Sequence, residues 1–308
     1  MYFLSKPVFI TVEINPICNN NCIGCGNVFS QNKPPISFAQ WEQVFTSLKK
    51  PVNVRISGGE PTLSSHFYEI IELLKKLQIS FVLFSNGRWE NPKNLINELV
   101  HNDCCQGLLI SLHGHNADIH ESFSRVNGSF EETVKNIQLA INAGLTTGIS
   151  TIITRDNFSF IDEVVSFAFS MGIDHINFAR HLPTRGYESV PNNTQLKTAM
   201  EKVEKHYKNG KSVAFSVCIP QCFSPSSSEG CLSGIAYCVI DPWGNVRPCP
   251  HTSIICGNLL ENSMEEIWDG SSMKHWREMM PQQCNSCVEL DKCHGGCKAA
   301  AFLNNSTK

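Results

Sequence analysis

Six times in its first 180 residues the chain alternates a short apolar, β-branched run with an amphipathic stretch of helical period. The strand-like runs fall at 8–14, 52–57, 80–84, 107–112, 146–153 and 175–178, and helical spacing is clearest at 38–48, 66–77 and 130–143. The periods differ because side chains alternate faces along a strand but recur every three or four residues along a helix. Ser37 with Gln40, and Ser129 with Glu132, spell capping boxes, and Gly144 stands where a helix should stop. Repeated strand–helix units predict a parallel sheet wound in one hand, either an open partial barrel or a doubly wound sheet. After Arg180 the pattern changes. Residues 181–193, with Pro183, Gly186, Pro191 and two asparagines, read as a linker, and a polar helix is predicted at 194–208. From Phe215 the text is irregular, with Ser226–Ser228 in its midst and one further helix predicted at 264–279 behind a Ser263 and Glu266 capping box.

Fifteen cysteines are the second constraint. The formal net charge of −3 gives no nucleic-acid footprint, and no apolar run approaches the roughly 20 residues of a membrane span. The opening residues lack the apolar core of a secretory signal, so the chain is expected in the cytoplasm. There, clustered cysteines bind metal or do chemistry rather than form a disulfide scaffold. Directly after the first strand comes Cys18-x3-Cys22-x2-Cys25. Three thiolates can hold three irons of a cubane cluster, leaving a fourth open to a chelating amine and carboxylate. A structural zinc site needs four ligands, and no fourth Cys or His is near.

Other polar motifs share one geometric property: each closes a predicted strand. The second strand ends in Ser57-Gly58-Gly59-Glu60-Pro61-Thr62, the third in Ser85-Asn86-Gly87, the fourth in Ser111-Leu112-His113-Gly114, and the fifth in Thr154-Arg155-Asp156-Asn157, which reads as a structural loop. In a parallel barrel the C-terminal strand ends form one mouth, where catalytic groups collect.

This combination resembles the radical S-adenosylmethionine (SAM) superfamily. The resemblance implies a partial (β/α)6 TIM-like barrel. It implies a 4Fe–4S cluster on Cys18, Cys22 and Cys25, and SAM binding by Gly58, Gly59, Glu60, Asn86, Ser111 and Arg125. Glu60 would accept hydrogen bonds from the SAM ammonium, and Arg125 would pair with its carboxylate. The sequence departs from the family pattern twice. His113 stands in place of the usual acid, and Gly24 replaces the aromatic residue that commonly packs on adenine before the third cysteine, with Val28 or Phe29 as substitutes.

Ten cysteines lie between Cys218 and Cys297. Cys284-x2-Cys287-x5-Cys293-x3-Cys297, preceded by Cys231-x12-Gly244-x4-Cys249, resembles the SPASM extension, which carries two auxiliary clusters. The resemblance assigns one cluster to Cys231, Cys249 and Cys297, with Cys238 as fourth ligand, and the second to Cys284, Cys287 and Cys293. No cysteine follows Cys297 to complete the second, so that cluster is expected either to have an open iron or to be closed by Cys218, Cys222 or Cys256. Cys284 to Cys297 could alternatively close a zinc site. His251, His275 and His294 read as structural or exposed, and Cys104 and Cys105 as small apolar groups. The expected organisation is a radical SAM core at 1–190, a linker helix region at 191–215, and a small irregular cysteine-rich SPASM-like domain at 216–308.

The implied reaction is reductive cleavage of SAM to a 5′-deoxyadenosyl radical, which abstracts hydrogen from a substrate. The first expectation is an enzyme that modifies a peptide or protein, by thioether or carbon–carbon crosslinking, epimerisation or oxidation. Flavodoxin or ferredoxin would donate electrons, and because no module precedes the first strand a leader-binding protein would be separate. Cys218 and Cys222 are catalytic candidates as hydrogen-atom donors, which would imply an epimerase, and are equally readable as cluster ligands or buried thiols. The alternatives are a cofactor or tetrapyrrole biosynthesis enzyme acting on a small molecule, and a non-catalytic iron–sulfur or zinc protein.

Overall fold

A computed structural model of the chain describes residues 3–27, 33–48, 52–182, 187–216, 218–224 and 230–303. Ten strands form one sheet: β1 (Phe9–Glu13), β2 (Asn53–Ser57), β3 (Phe81–Ser85), β4 (Cys105–Ser111), β5 (Thr147–Ile153), β6 (His175–Arg180), β7 (Val213–Phe215), β8 (Tyr237–Ile240), β9 (Asn245–Arg247) and β10 (Gly257–Asn258). The order is β10-β9-β8-β1-β2-β3-β4-β5-β6-β7. From β1 to β7 neighbours in sequence are neighbours in space, and every pairing is parallel. The six anticipated strands are therefore the centre of an open parallel sheet, extended by β7 at one edge. At the other edge β8 runs parallel to β1, with Cys238 opposite Ile10, and β9 and β10 return antiparallel.

Helices Phe38–Ser47, Phe67–Lys76, Pro92–Val100, Ser129–Asn142, Ile161–Ser170 and Asn193–Lys208 provide the crossovers. Their inner faces bury Trp41, Phe45, Ile70, Leu74, Leu95, Ile137 and Val164 in one core with Val54, Ile56, Leu83, Ile110, Ile149 and Phe178 of the strands. Each such side chain contributes roughly 1.5–3 kcal/mol on burial. Helices of this length are marginal alone, so this packing, more than propensity, holds them. Among the described residues no helix is long and apolar enough to cross a membrane.

Local signals worked where the caps are side-chain caps. The Ser37–Gln40 and Ser263–Glu266 boxes form, and so does an Asn192–Gln195 box that opens the polar helix. The Ser129 box does not. Gly128, at φ 79°, is the N-cap, and Ser129 is the first helical residue, its hydroxyl 2.7 Å from that of Ser124. The helix predicted at 264–279 is two helices, Met264–Trp268 and Ser271–Glu278, interrupted at Gly270. A second, smaller core lies in the C-terminal region, where Leu182, Cys249, Trp276, Met279, Cys297, Ala299 and Ala300 are buried together. Pro183, Gly186 and Ser226–Ser228, read above as loop, lie outside the described residues.

Candidate functional site

The loop leaving β1 carries Cys18, Cys22 and Cys25, and backbone bonds fix it across the strand ends. The Gly59 and Glu60 N–H groups donate to the carbonyls of Asn15 (2.8 Å) and Ile17 (2.7 Å), and the Asn15 amide donates to the Glu60 carbonyl (3.0 Å). Further along, Asn21 and Ile23 donate to Ser124 and Phe123. Arg88, paired with Glu132 at 2.8 Å, donates to the Asn19 carbonyl (2.6 Å) and the Asn20 side chain (2.9 Å). Gly59 has no room for a side chain, because a Cβ there would stand 2.1 Å from the Ile17 carbonyl oxygen. The loop is thus pinned to the ends of β2 and β3 and to the helix after β4.

At the centre sits Glu60, fully buried. Its carboxylate accepts from the Thr62 hydroxyl (2.7 Å) and N–H (3.3 Å), the Ser85 hydroxyl (2.9 Å) and the Asn86 N–H (2.7 Å). Burial raises its pKa, and these four donors oppose the rise. A carboxylate has about four acceptor positions. In this structure the side chain therefore ties the end of β2 to the end of β3, where the sequence reading had it meeting an ammonium. Among the described residues no hydrogen bond reaches the Gly59 carbonyl, which leaves it as an acceptor beside the cysteine loop. The Asn86 amide donates to Asn19 (2.6 Å) and lies 3.7 Å from the Cys18 sulfur.

Ser111, half-buried, closes β4. Arg125 is exposed, at φ 58° after helix Ala117–Ser124, its N–H bonded to the Glu121 carbonyl. His113 is buried against His120 and Phe123, with ring centroids 5.7 and 4.3 Å away, and burial lowers its pKa well below the usual imidazole range. Asn157 organises the loop after β5, donating to the His113 (2.9 Å) and Ile152 (2.7 Å) carbonyls.

Two histidines flank the cysteine loop: His181, which the sequence reading did not name, and His251, which it took as structural or exposed. A Cβ on Gly24 would stand 2.1 Å from Nε2 of His181, the residue just after β6, so this imidazole fills the space beside Gly24. His251 does the same at Gly26, its Nδ1 3.1 Å from the Gly26 carbonyl, and burial lowers its pKa to about 4. Gly24 and Gly26 were the only local sign that large groups approach from elsewhere. Val28 and Phe29, named as substitutes for the missing aromatic, lie outside the described residues.

The tail cysteines separate into groups. Cys231, Cys249 and Cys297 lie within electrostatic reach of one another, and Cys218, packed against the small core that holds Cys249 and Cys297, is within reach of Cys231, Cys297 and also Cys293. The Tyr237 hydroxyl is 3.8 Å from the Cys249 sulfur, and the Ala300 N–H is 3.4 Å from that of Cys297. Cys238, expected as the fourth member, is placed elsewhere. Successive side chains on a strand point to opposite faces, so with Tyr237 facing Cys249, Cys238 faces the main core beside Cys256. Cys284 is within electrostatic reach of Cys287, Cys293 and Cys222. Among the described residues the cysteines from Cys284 to Cys297 do not gather closely enough to hold a single zinc ion. Cys104 is buried in the main core and Cys105 opens β4.

The residues fit iron–sulfur clusters by the chemistry of the donor set. Soft cysteine sulfurs predominate in all three groups; at Cys18 burial raises the pKa, and the Asn20 N–H (3.4 Å) and the Asn86 amide at the sulfur oppose the rise. Among the described residues no three Cys, His, Asp or Glu side chains gather closely enough for one metal ion. A cluster of several irons spreads its ligands more widely than a single ion does.

Comparison with known proteins agrees with this geometry. The profile of the Radical SAM superfamily matches residues 12–168, and that of the SPASM iron-sulfur cluster-binding domain matches residues 231–293. The chain is 28% identical to the mycofactocin maturase MftC of Mycolicibacterium smegmatis over 97% of its own length and 80% of the relative's. It is 26% identical to an AdoMet-dependent heme synthase of Oleidesulfovibrio alaskensis, over 95% and 83%. Its fold superposes on Streptococcus suis SuiB, in a crystal structure bound to the precursor peptide SuiA, with TM-score 0.82 at 18% identity, covering 99% of this chain and 74% of SuiB.

Proposed function

Because the chain belongs to the radical SAM superfamily and carries a C-terminal SPASM domain, we propose that it is an enzyme modifying a peptide or protein. The cofactors are SAM and 4Fe–4S clusters, which when bound supply reductive cleavage of SAM and a 5′-deoxyadenosyl radical able to take a hydrogen atom from substrate. The observation that carries the reading is the placing of three cysteines and Gly58-Gly59-Glu60 on adjoining loops at one end of a parallel sheet. The maturase relative and the peptide-bound SuiB fold support a peptide substrate.

In this proposal Cys18, Cys22 and Cys25 ligate the open cluster. The Gly59 carbonyl accepts from the SAM ammonium, and Glu60 holds the Asn86 loop in place for it. Ser111 and Arg125 face the ribose and the methionine carboxylate. Cys218, Cys231, Cys249 and Cys297 ligate the first auxiliary cluster, which gives Cys218 a ligand's role in place of a hydrogen donor's. A flavodoxin or ferredoxin supplies electrons, and the cell compartment is the cytoplasm. A second reading, tetrapyrrole or cofactor biosynthesis, is favoured by the heme synthase relative.

The test is anaerobic incubation of reconstituted protein with SAM, a reductant and a candidate precursor peptide. A peptide mass change, or deuterium uptake from heavy water without one, together with 5′-deoxyadenosine, is the expected result. 5′-Deoxyadenosine formed in step with turnover of a tetrapyrrole, the peptide remaining unchanged, would favour the second reading. Glu60→Gln is expected to weaken SAM binding about tenfold, because an amide NH2 would face a donor that the carboxylate now accepts from. Calorimetric titration with SAM checks this.

A further inference from the structure

The turn at residues 220–224 lies against the C-terminal cysteine loop. It is closed by the Phe223 (2.9 Å) and Ser224 (3.0 Å) N–H groups donating to the Pro220 carbonyl. On one side Pro220 covers Gly296, where a Cβ would stand 2.7 Å from the proline Cγ. On the other the Gln221 N–H points at the Cys293 sulfur, 3.4 Å away. Cys222, the next residue, is exposed at the turn, and Cys284 and Cys287 are half-buried beside Cys293. Cys218, four residues earlier, packs against the smaller core that holds Cys249 and Cys297. Cys256 lies with Cys238 at the main core.

We propose that Cys222 is the fourth ligand of the second auxiliary cluster, closing it with Cys284, Cys287 and Cys293. The proposal rests on the radical SAM and SPASM reading and deepens it. The Cys222 thiol gives up its proton on ligation, and the Cys-Ile-Pro-Gln-Cys segment then supplies one thiolate to each auxiliary site. Four protein thiolates leave no iron open to a substrate, so the second site serves structure or electron transfer rather than direct substrate binding. Sequence spacing left this open, because Cys222 stands 62 residues before Cys284.

The test uses the full chain with Cys18, Cys22 and Cys25 replaced by alanine, so that the remaining iron is auxiliary. It is reconstituted anaerobically and compared with the same protein carrying Cys222→Ala, Cys222→Ser or Cys256→Ala. After mild oxidation, Cys222→Ala is expected to lose about one iron per chain and to show a three-iron electron paramagnetic resonance signal that the parent lacks. Cys222→Ser is expected to keep the iron with a shifted signal, and Cys256→Ala to match the parent. A three-iron signal of equal size in the parent, or a Cys222→Ala protein spectroscopically identical to it, overturns the ligation and leaves the family reading intact. A parent that binds no iron at all overturns the auxiliary-cluster reading itself.

Discussion

A variant with alanine at Cys18, Cys22 and Cys25 is expected to form no detectable 5′-deoxyadenosine while keeping its auxiliary iron. In the proposed function these thiols hold the open cluster, and without them no electron would reach SAM there. The loss should therefore be at least about 10⁶-fold in rate, the lower end of enzymatic accelerations. The fold should survive. Cys18 is exposed and the other two half-buried, so alanine leaves little void. Backbone bonds from Gly59, Glu60, Asn21 and Ile23 hold the loop, together with Arg88. Chromatographic assay of 5′-deoxyadenosine after dithionite reduction, with iron content measured in parallel, checks both halves. Undiminished 5′-deoxyadenosine would remove the basis for assigning SAM chemistry to this loop.

The sequence disclosed the architecture wherever its causes are local. Strands β1 to β6 announce themselves because each is a β-branched run between helices of clear period. Strands β7 and β10, of three and two residues, are too short to show any period, and β8 joins the sheet through β1, more than 200 residues away. No local pattern encodes such a contact. The same division holds at the site. Cys18, Cys22, Cys25 and Gly58 to Glu60 are contiguous motifs, so they were legible. His181 and His251 reach the cysteine loop from the end of β6 and from the tail. The resemblance named Cys238 as the fourth ligand of the first auxiliary cluster, and spacing could not test that choice, because it depends on which face of β8 a residue occupies. Tyr237 takes the face toward Cys249, and that sends Cys238 inward.

The tail is also tied to the barrel by a buried ion pair, and its removal carries the second large expected effect. Glu13, last residue of β1, and Arg247, last of β9, are 1% and 2% exposed and bonded to each other. Arg247 also donates to the Pro250 (3.1 Å) and Thr252 (2.9 Å) carbonyls. Arg247→Leu is expected to cost about 3–5 kcal/mol, because Glu13 is left buried without its partner. The cost should depend on pH. Burial already raises the Glu13 pKa from 4.5 to about 7, with Arg247 pulling it down and Asp241 pushing it up. Between those values the folded chain holds a proton that the unfolded chain has released, so this group's contribution to stability falls as pH rises, levelling off above 7. Without Arg247 the folded value climbs further, and the fall continues beyond that point at up to about 1.4 kcal/mol per pH unit. The deficit of Arg247→Leu against the parent should therefore be larger at about pH 8 than at about pH 6 in anaerobic thermal unfolding. Adding Glu13→Leu should recover most of it, since an apolar pair of similar volume has no charge to desolvate. A deficit that shrinks with rising pH, or a double variant no more stable than the single, would show that Arg247 acts through its carbonyl contacts rather than through the charge on Glu13.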